Sequence, residues 1–325
     1  MAPRHNVVQA ARAALDDAMR ASDDVYVLGE DVVAGGPFAL TKGLSDRHGT
    51  QRVRNTPICE GAFMGAGVGL ALAGARPFVD VMFNDFITAA SDQLFNNAAK
   101  IHFMSGGRRS VPLTTWTIAG AGTRWAAHHS QHLDGWFAQV PGLKVLSPTT
   151  PAMTYASVTA ALEDPDPVVL LVDRALLYER TGLPGDDGDP WQSRVVRPGE
   201  DVTIATSGRL VHVAVAAAEA SDASVEVIDL QRLAPLDVTA VVASVERTSR
   251  LVVVHDESAC GAMGPLVESA VYDAGFWLLD APIKRVAAPR TPVPAAASLE
   301  DAYMVGVDDI TRAVEAVLHG AVLPR

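Results

Sequence analysis

The sequence has little of what marks a secreted, membrane-bound or nucleic-acid-binding protein. Its 325 residues include only two cysteines, Cys59 and Cys260, which lie far apart in no metal-type spacing. We therefore expect reduced thiols and a cytoplasmic protein. With 26 Lys and Arg against 38 Asp and Glu, the formal net charge is −12. This charge argues against nucleic acid or an anionic membrane as partner, although solubility alone also explains it.

Targeting and membrane signals are absent as well. Residues 1–10 have no apolar core followed by a small-residue cleavage site, so we expect no signal peptide. The uncharged run at residues 61–75 is too short and too rich in glycine to span a bilayer. The sequence therefore predicts a soluble intracellular protein.

What the sequence does have is a repeated alternation of short apolar runs and helical patterns. In the first half an amphipathic helix at residues 6–21 precedes a strand at 25–28, and a helical pattern at 86–104 follows a strand at 77–82. Such alternation predicts an α/β fold with a parallel sheet covered by helices on both faces. A Pro-, Gly- and Asp-rich segment then interrupts the pattern, which predicts a first domain at 1–180, a linker at 181–199 that includes Asp187, and a smaller α/β domain at 200–325.

Three glycines, Gly61, Gly65 and Gly69, share one face of a predicted helix. Each costs up to about 1 kcal/mol relative to alanine, so we expect another helix to pack closely there. A dinucleotide-binding motif is excluded, because Leu70 stands where its third glycine is required.

An acidic residue and two aromatic rings are candidates for a ligand site. Glu60 opens a helix after a proline-containing turn, where it either favours the helix dipole or presents a carboxylate to a ring nitrogen of a ligand. Phe83 and Phe86 follow a strand, where such rings either pack in the core or stack on a heteroaromatic ligand.

A histidine-rich stretch allows several interpretations. His128 and His132 are spaced to hold a metal on a helix face. However, there is no His-Glu-x-x-His motif, and no third ligand residue follows at a sequence spacing typical of metal sites. Ser130 stands outside any Gly-x-Ser-x-Gly motif and is predicted to cap the next helix. His129 is a candidate acid, base or anion-binding residue. In the second half, residues 255–257 end a strand and are expected to be solvated.

Ordered segments along nearly the whole chain resemble one family. They are similar to the beta subunit of the thiamine-diphosphate-dependent first component of 2-oxo acid dehydrogenase complexes, a family that includes pyruvate, branched-chain and acetoin dehydrogenases. The matching segments are residues 27–31, 52–60, 92–100, 103–107, 129–131, 140–145, 201–204, 226–230 and 233–237.

This resemblance implies a transketolase-like pyrimidine-binding domain followed by a transketolase C-terminal domain. It also implies roles in the binding of thiamine diphosphate. Glu60 would bond N1′ of the aminopyrimidine, Phe86 would stack on that ring and Ile58 would line its pocket. His129 would face the substrate carboxylate and the reaction intermediates. Carbanion stabilisation belongs to the cofactor, which the protein orients and polarises.

The partners follow from what the family motif lacks in this chain. The diphosphate-and-magnesium signature of the class, Gly-Asp-Gly followed by Asn, does not occur, so the resemblance implies that an alpha subunit supplies the Mg ligands in an α2β2 heterotetramer. A lipoyl-bearing acyltransferase is the expected further partner. In some members a potassium ion sits at positions that correspond here to Leu113, Ala161, Leu162, Asp164 and Asp166.

The implied reaction is decarboxylation of a 2-oxo acid, or cleavage of acetoin, with transfer of the acyl group to lipoamide. The substrate stays open, because the loop at residues 118–122 looks like acetoin-type members whereas residues 55–60 look like branched-chain ones. Trp116 stands where pyruvate and branched-chain members commonly have arginine. The alternatives are a carboligase pair that needs no lipoyl carrier, and a non-catalytic scaffold of the same fold.

Overall fold

A computed structural model describes residues 5–186 and 188–320. Asp187 of the predicted linker, and residues 1–4 and 321–325 at the ends of the predicted domains, lie outside the described residues. None of the helices in the described part of the chain has the length and apolar character needed to cross a membrane.

The first sheet is built from six parallel strands and is completed by a seventh from later in the chain. Its strand order is β10-β5-β6-β4-β3-β1-β2, and only the pairing of β10 with β5 is antiparallel. The strands are β1 (Val25–Gly29), β2 (Val53–Asn55), β3 (Arg76–Phe83), β4 (Thr114–Ala119), β5 (Lys144–Leu146), β6 (Val168–Asp173) and β10 (Arg232–Ala234).

Seven α-helices belong to the first half of the described chain. The first begins where predicted, because Asn6 accepts a hydrogen bond from the backbone N–H of Gln9, and the Gln9 side chain accepts one from Asn6 in return. The helices are α1 (Val7–Ala21), α2 (Leu44–His48), α3 (Glu60–Leu72), α4 (Ile87–Ser91), α5 (Ala99–Met104), α6 (Asp134–Ala138) and α7 (Pro151–Glu163). Short 3₁₀ turns cover Asn84–Phe86 and Arg174–Leu176.

The helical pattern predicted at residues 86–104 is in fact broken. A 3₁₀ turn leads into α4, a π-helical segment spans Asp92–Ala98, and α5 follows. This segment packs against two of the three glycines of α3. A Cβ on Gly61 would lie 3.2 Å from the Ala89 carbonyl oxygen, and one on Gly65 would lie 3.2 Å from Gln93 Oε1. The predicted close helix packing is confirmed at these two positions, whereas nothing lies within 4 Å of a Cβ on Gly69.

The second half forms a five-stranded sheet with the order β12-β11-β8-β9-β7, in which only β7 runs antiparallel to its neighbour. The remaining strands are β7 (Arg194–Arg197), β8 (Val202–Thr206), β9 (Val225–Asp229), β11 (Leu251–Ser258) and β12 (Lys284–Ala288). The helices are α8 (Leu210–Glu219), α9 (Thr239–Thr248), α10 (Met263–Gly275), α11 (Ala297–Tyr303) and α12 (Val307–His319), with a 3₁₀ turn at Phe276–Leu278.

Buried side chains lie on both faces of each sheet, which confirms the predicted two-domain α/β architecture. One apolar cluster covers the outer face of the first sheet and contains Trp116 and Phe78. Another joins the two halves, since Phe137 of α6 belongs to the same cluster as Ile228 of β9 and Met263 of α10. The two sheets therefore share part of their core and hold each other in place.

Candidate active site

The candidate residues lie at the carboxyl ends of three neighbouring strands of the first sheet. Glu30 follows β1, Phe86 follows β3, and the loop at residues 120–133 follows β4. Because parallel strands end at the same edge, these side chains meet where α/β sheets usually bind their ligands.

An acidic cluster, consisting of Asp80, Glu30, Asp31 and Glu60, runs along this edge. Burial raises the pKa of Asp80 to about 7, and the nearby charge of Glu30 adds to the effect. Burial also raises the pKa of Glu30, with further contributions from Glu60 and Asp31. Glu60 lies in the first turn of α3, and within residues 5–186 and 188–320 no hydrogen-bond donor reaches its carboxylate. That carboxylate is therefore free to accept a hydrogen bond from a ligand.

Beside the acids lies an aromatic cluster, consisting of Phe38, Phe83, Phe86, Trp125 and His129. The imidazole of His129 stands edge-on to Phe83, with ring centroids 4.8 Å apart, and to Phe86 at 5.4 Å. Phe83 also contacts Phe38 and Trp125, at 5.7 Å and 5.2 Å. These contacts orient the His129 ring while no described side chain hydrogen-bonds to its nitrogens.

The loop that carries His129 is held by Arg174, which is 3% exposed at the end of β6. Its Nη2 donates to the Gly120 carbonyl and to Ser130 Oγ, and its guanidinium lies 5.8 Å from the Phe83 ring centre. Burial lowers the pKa of this arginine. The predicted capping role of Ser130 is wrong, because α6 begins after Leu133 without a side-chain cap and the serine binds Arg174 instead.

The structure brings the predicted residues together to different degrees. Phe86 and His129 are in ring contact. Glu60 begins the helix α3, whose Gly61 packs on α4, and α4 starts directly after Phe86. Ile58 is 80% exposed in the bend between β2 and α3, so no described residue encloses it.

Sequence reasoning missed Phe38, Trp125 and Arg174. Each had a local signal: Phe38 follows a Gly-Gly-Pro loop, Trp125 stands in a loop of small residues, and Arg174 directly follows a buried strand. Their convergence depends on contacts between residues far apart in sequence, which local patterns do not reveal.

The positions proposed for potassium lie around a lysine. Lys144 Nζ lies 2.8 and 2.9 Å from the two carboxylate oxygens of Asp164 and 3.0 Å from Asp166 Oδ2. The Leu162 carbonyl accepts from Arg76, and the Leu113 carbonyl accepts from the backbone N–H of Val168. Ala161 is buried in α7. The aspartate side chains therefore pair with Lys144, which leaves their backbone carbonyls as the groups for a cation.

The second domain reaches the same loop through its β11 strand end. Residues 255–257 were expected to be solvated, but His255 and Glu257 are only 5% and 7% exposed. The His255 ring lies against Gly264 of α10, and Glu257 is bonded by α10 and by the first domain. Glu257 Oε1 accepts from the backbone N–H of Gly135, and burial raises the pKa of this carboxyl to about 8. Burial lowers the pKa of His255 to about 4.

The raised pKa of Asp80 predicts a pH-dependent stability that the Asp80→Asn substitution removes. Unfolded Asp80 loses its proton near pH 3.8, whereas the folded residue keeps it until about pH 7, so its contribution to the free energy of unfolding falls as the pH rises between these values. The amide oxygen of asparagine can still accept from the Met82 N–H, a bond of 2.9 Å in the native chain. We expect the stability of the variant relative to wild type to increase by about 1 kcal/mol between about pH 6 and pH 8.

Chemical denaturation at both pH values measures this difference. The exposed Asp24, replaced by asparagine, removes the same charge from the surface and serves as the control. A relative stability of Asp80→Asn that does not change with pH would contradict the expectation.

Comparisons with known proteins agree with this architecture. Residues 5–179 match the family described as transketolase, pyrimidine binding domain, and residues 192–310 match transketolase, C-terminal domain. The chain is 39% identical over 319 residues to the beta subunit of acetoin:2,6-dichlorophenolindophenol oxidoreductase from Bacillus subtilis, with 93% of each chain covered.

Two further relatives act on other substrates by name. The chain is 38% identical to the pyruvate dehydrogenase E1 component subunit beta of Rhizobium meliloti, covering 96% of this chain and 70% of that protein. It is 36% identical to the 2-oxoisovalerate dehydrogenase subunit beta of Pseudomonas aeruginosa, covering 96% and 95%. A solved split-gene transketolase, described as an inactive beta4 tetramer, superposes with a TM-score of 0.76 at 23% identity and covers 96% of this chain and 98% of its own, which shows the shared fold.

Proposed function

The chain belongs to the family of beta subunits of the thiamine-diphosphate-dependent first component of 2-oxo acid and acetoin dehydrogenases, and on this premise we propose that it decarboxylates a 2-oxo acid, or cleaves acetoin, together with an alpha subunit. The acyl group then passes to lipoamide. Thiamine diphosphate supplies the carbanion stabilisation when it is bound.

The observation that carries this proposal is the carboxylate of Glu60, which has no hydrogen-bond partner among the described residues and opens the helix that packs on α4, directly after Phe86. A carboxylate with no internal hydrogen bond can accept one from a protonated ring nitrogen, and such a charge-assisted bond is strong where water is excluded. Phe86 offers a ring for stacking close to the start of α3. The residues present therefore fit the pyrimidine half of the cofactor, with Glu60 and Phe86 holding it and Ile58 lining the pocket from the bend before α3.

The remaining half of the pocket is assigned to the alpha subunit. A diphosphate and its Mg²⁺ need donors and oxygen ligands of their own, and the acidic cluster on this side of the site repels phosphate. We propose that the alpha chain supplies those groups and that two copies of each chain form an α2β2 heterotetramer. The exposed side chain of Ile58 then lies against the alpha chain.

Two further partners belong to the same proposal. A potassium ion would be bound by backbone carbonyls at Leu113, Ala161, Leu162, Asp164 and Asp166, while Lys144 pairs with both carboxylates. A lipoyl-bearing acyltransferase would accept the acyl group. The two cysteines of the chain are exposed and unpaired, which supports a reducing compartment such as the cytoplasm.

The experiment that tests the function is reconstitution with an alpha chain of the same family from the same genome. The purified pair is supplied with thiamine diphosphate and Mg²⁺ and screened against pyruvate, branched-chain 2-oxo acids and acetoin, with an artificial electron acceptor and with a lipoyl domain. Acceptor reduction and lipoyl acylation with one substrate class support the proposal. An intact complex that turns over none of these substrates would contradict it.

The same screen separates the alternatives. A carboligase pair would consume 2-oxo acid and release a carboligation product without acylating the lipoyl domain. A non-catalytic scaffold would assemble without consuming any substrate. The retention of Glu60, Phe86 and His129 at one edge of the sheet disfavours the scaffold.

His129 is expected to act on the reacting groups rather than on cofactor binding. Its ring is oriented by Phe83 and Phe86, and neither ring nitrogen has a hydrogen-bond partner in the described part of the chain. In the His129→Ala variant we expect the rate of lipoyl acylation in a single turnover to fall by about 10²-fold, the low end of the range for acid–base groups, with the Kd for thiamine diphosphate changed by less than about 3-fold.

The neighbouring His128→Ala is the matched control, because His128 is exposed and makes no contact in the aromatic cluster. Stopped-flow acylation and fluorescence titration of the cofactor measure the two quantities separately. An equal loss in both would place His129 in cofactor binding instead.

A further inference from the structure

One imidazole and two carboxylates converge where the two domains meet. His132 comes from the loop before α6, Asp173 from the end of β6 and Asp256 from β11, and one ligand atom of each lies within 4.8 Å of the others. Because the three residues are on separate elements of the fold, their convergence is a tertiary feature that no local motif produces.

His132 has a buried nitrogen that makes no hydrogen bond within the described residues. Its side chain is 9% exposed, and Nδ1 lies 3.1 Å from Asp134 Oδ1. A carboxylate only accepts, so Nδ1 carries the proton. Nε2 therefore has a free lone pair in the neutral ring, and it has no hydrogen-bond partner among the residues that the structure describes. A buried polar atom without a hydrogen-bond partner needs an explanation, and a bound ion is one.

The spacing around that nitrogen fits a shared cation. Nε2 lies 3.7 Å from Asp173 Oδ2, which is too long for a hydrogen bond. Two ligands bound tetrahedrally at about 2.1 Å from one ion are separated by roughly 3.4 Å. Gly120 leaves this space open, because a Cβ there would lie 3.0 Å from Nε2 and 3.1 Å from Asp173 Oδ1.

The surrounding groups complete the pattern of a metal site. Asp134 orients the imidazole from its far side, as carboxylates do for metal-bound histidines. Arg209 donates to Asp256 Oδ1, which leaves the other carboxylate oxygen of Asp256 for an ion. A ligating carboxylate is commonly hydrogen-bonded in this way.

Negative charge collects at this cluster. The carboxylates of Asp134 and Asp173 both face the His132 ring, and the carboxylate of Asp256 lies with them where the domains meet. A divalent cation bound between these groups offsets part of their negative charge.

We propose that His132, Asp173 and Asp256 bind one divalent transition-metal ion of the zinc class. The nitrogen and carboxylate ligands suit such an ion. A cavity of about 500 Å³ between the domains, lined by His132 and Asp256, gives a water molecule access to the fourth position. The ion joins the loop that carries His129 to the second domain. Its role is to position that loop, and it takes no part in the reaction of the cofactor.

Metal analysis of the αβ complex tests this site without reference to turnover. The tag-free complex is loaded with zinc, dialysed into metal-free buffer and measured by inductively coupled plasma mass spectrometry. We expect about one zinc per beta chain in the wild type, and a loss to background in His132→Gln and Asp173→Asn. Tyr303→Phe, which changes the lining of the same cavity without removing a ligand, is expected to keep the metal.

A second measurement needs no variant that might misfold. Co²⁺ added to the metal-free wild-type complex should give the visible absorption of a four-coordinate site, and zinc should abolish it and raise the melting temperature. Absence of this absorption, or zinc contents equal in wild type and His132→Gln, would overturn the proposal. A catalytically inactive complex that still binds the metal would contradict the proposed function alone.

Discussion

The Glu60→Gln substitution should leave the chain folded and bound to its alpha subunit while reducing turnover by about 10³-fold. The carboxylate has no internal partner, so the substitution breaks no contact of the described fold. On the proposed function it removes the negative charge that faces the ring nitrogen of the cofactor, and the loss of one such electrostatic contact typically costs about 10²–10³ in rate. Steady-state turnover of the reconstituted pair, together with its size-exclusion profile, measures both parts of the prediction.

The control for this variant separates the loss of a charge in the candidate active site from the loss of a charge at a helix N-terminus. Asp308 is an exposed acid in the first turn of α12, far along the chain from the acidic cluster. Both substitutions remove a charge that interacts with a helix dipole, an effect of about 0.3–1 kcal/mol on stability. Asp308→Asn should therefore match Glu60→Gln in melting temperature but keep full activity. Near-normal turnover of Glu60→Gln would refute the assignment of the carboxylate.

The regular elements were predictable because their signals are local. The capping box of Asn6 and Gln9 and the apolar face of α1 lie within one segment, so the sequence determines where that helix begins. Strand β6 opens with five consecutive apolar residues, as expected for a strand buried on both faces. The break in the helical pattern at residues 86–104 was missed, since apolar spacing does not distinguish an α-helix from a π-helical segment.

Residues of the candidate site were predictable only where a single short segment of the sequence forms a recognisable motif. Glu60, Phe86 and His129 stand in recognisable motifs, but Arg174 reaches the His129 loop from β6, 44 positions beyond Ser130. The burial of Glu257 depends on Gly135 of the other domain, 122 positions away. Such contacts follow from how the two domains pack together. A solvated strand end was therefore the reasonable interpretation of the sequence alone.

The largest expected loss of stability comes from Gly142, in the turn between α6 and β5. Its φ is +90°, and a Cβ there would lie 2.0 Å from the backbone carbonyl oxygen of Ala99 at the start of α5. Neither backbone can yield, because Ala99 is buried in the core that joins the domains. We expect Gly142→Ala to lower the free energy of unfolding by more than about 3 kcal/mol, which combines backbone strain with a main-chain clash.

Gly49 provides the comparison, because its substitution shows the cost of backbone strain without a steric clash. Its φ is +78°, but nothing lies within 4 Å of a Cβ built there. With φ +78° and ψ 152°, Gly49 lies in a region that is essentially confined to glycine, so Gly49→Ala should cost only backbone strain, about 1–3 kcal/mol. Urea denaturation of both variants measures how much stability the main-chain clash at position 142 removes beyond such strain. If both variants lose the same stability, α5 and the turn before β5 can move apart, and the packing of the first sheet against its inner helices is looser than the structure indicates.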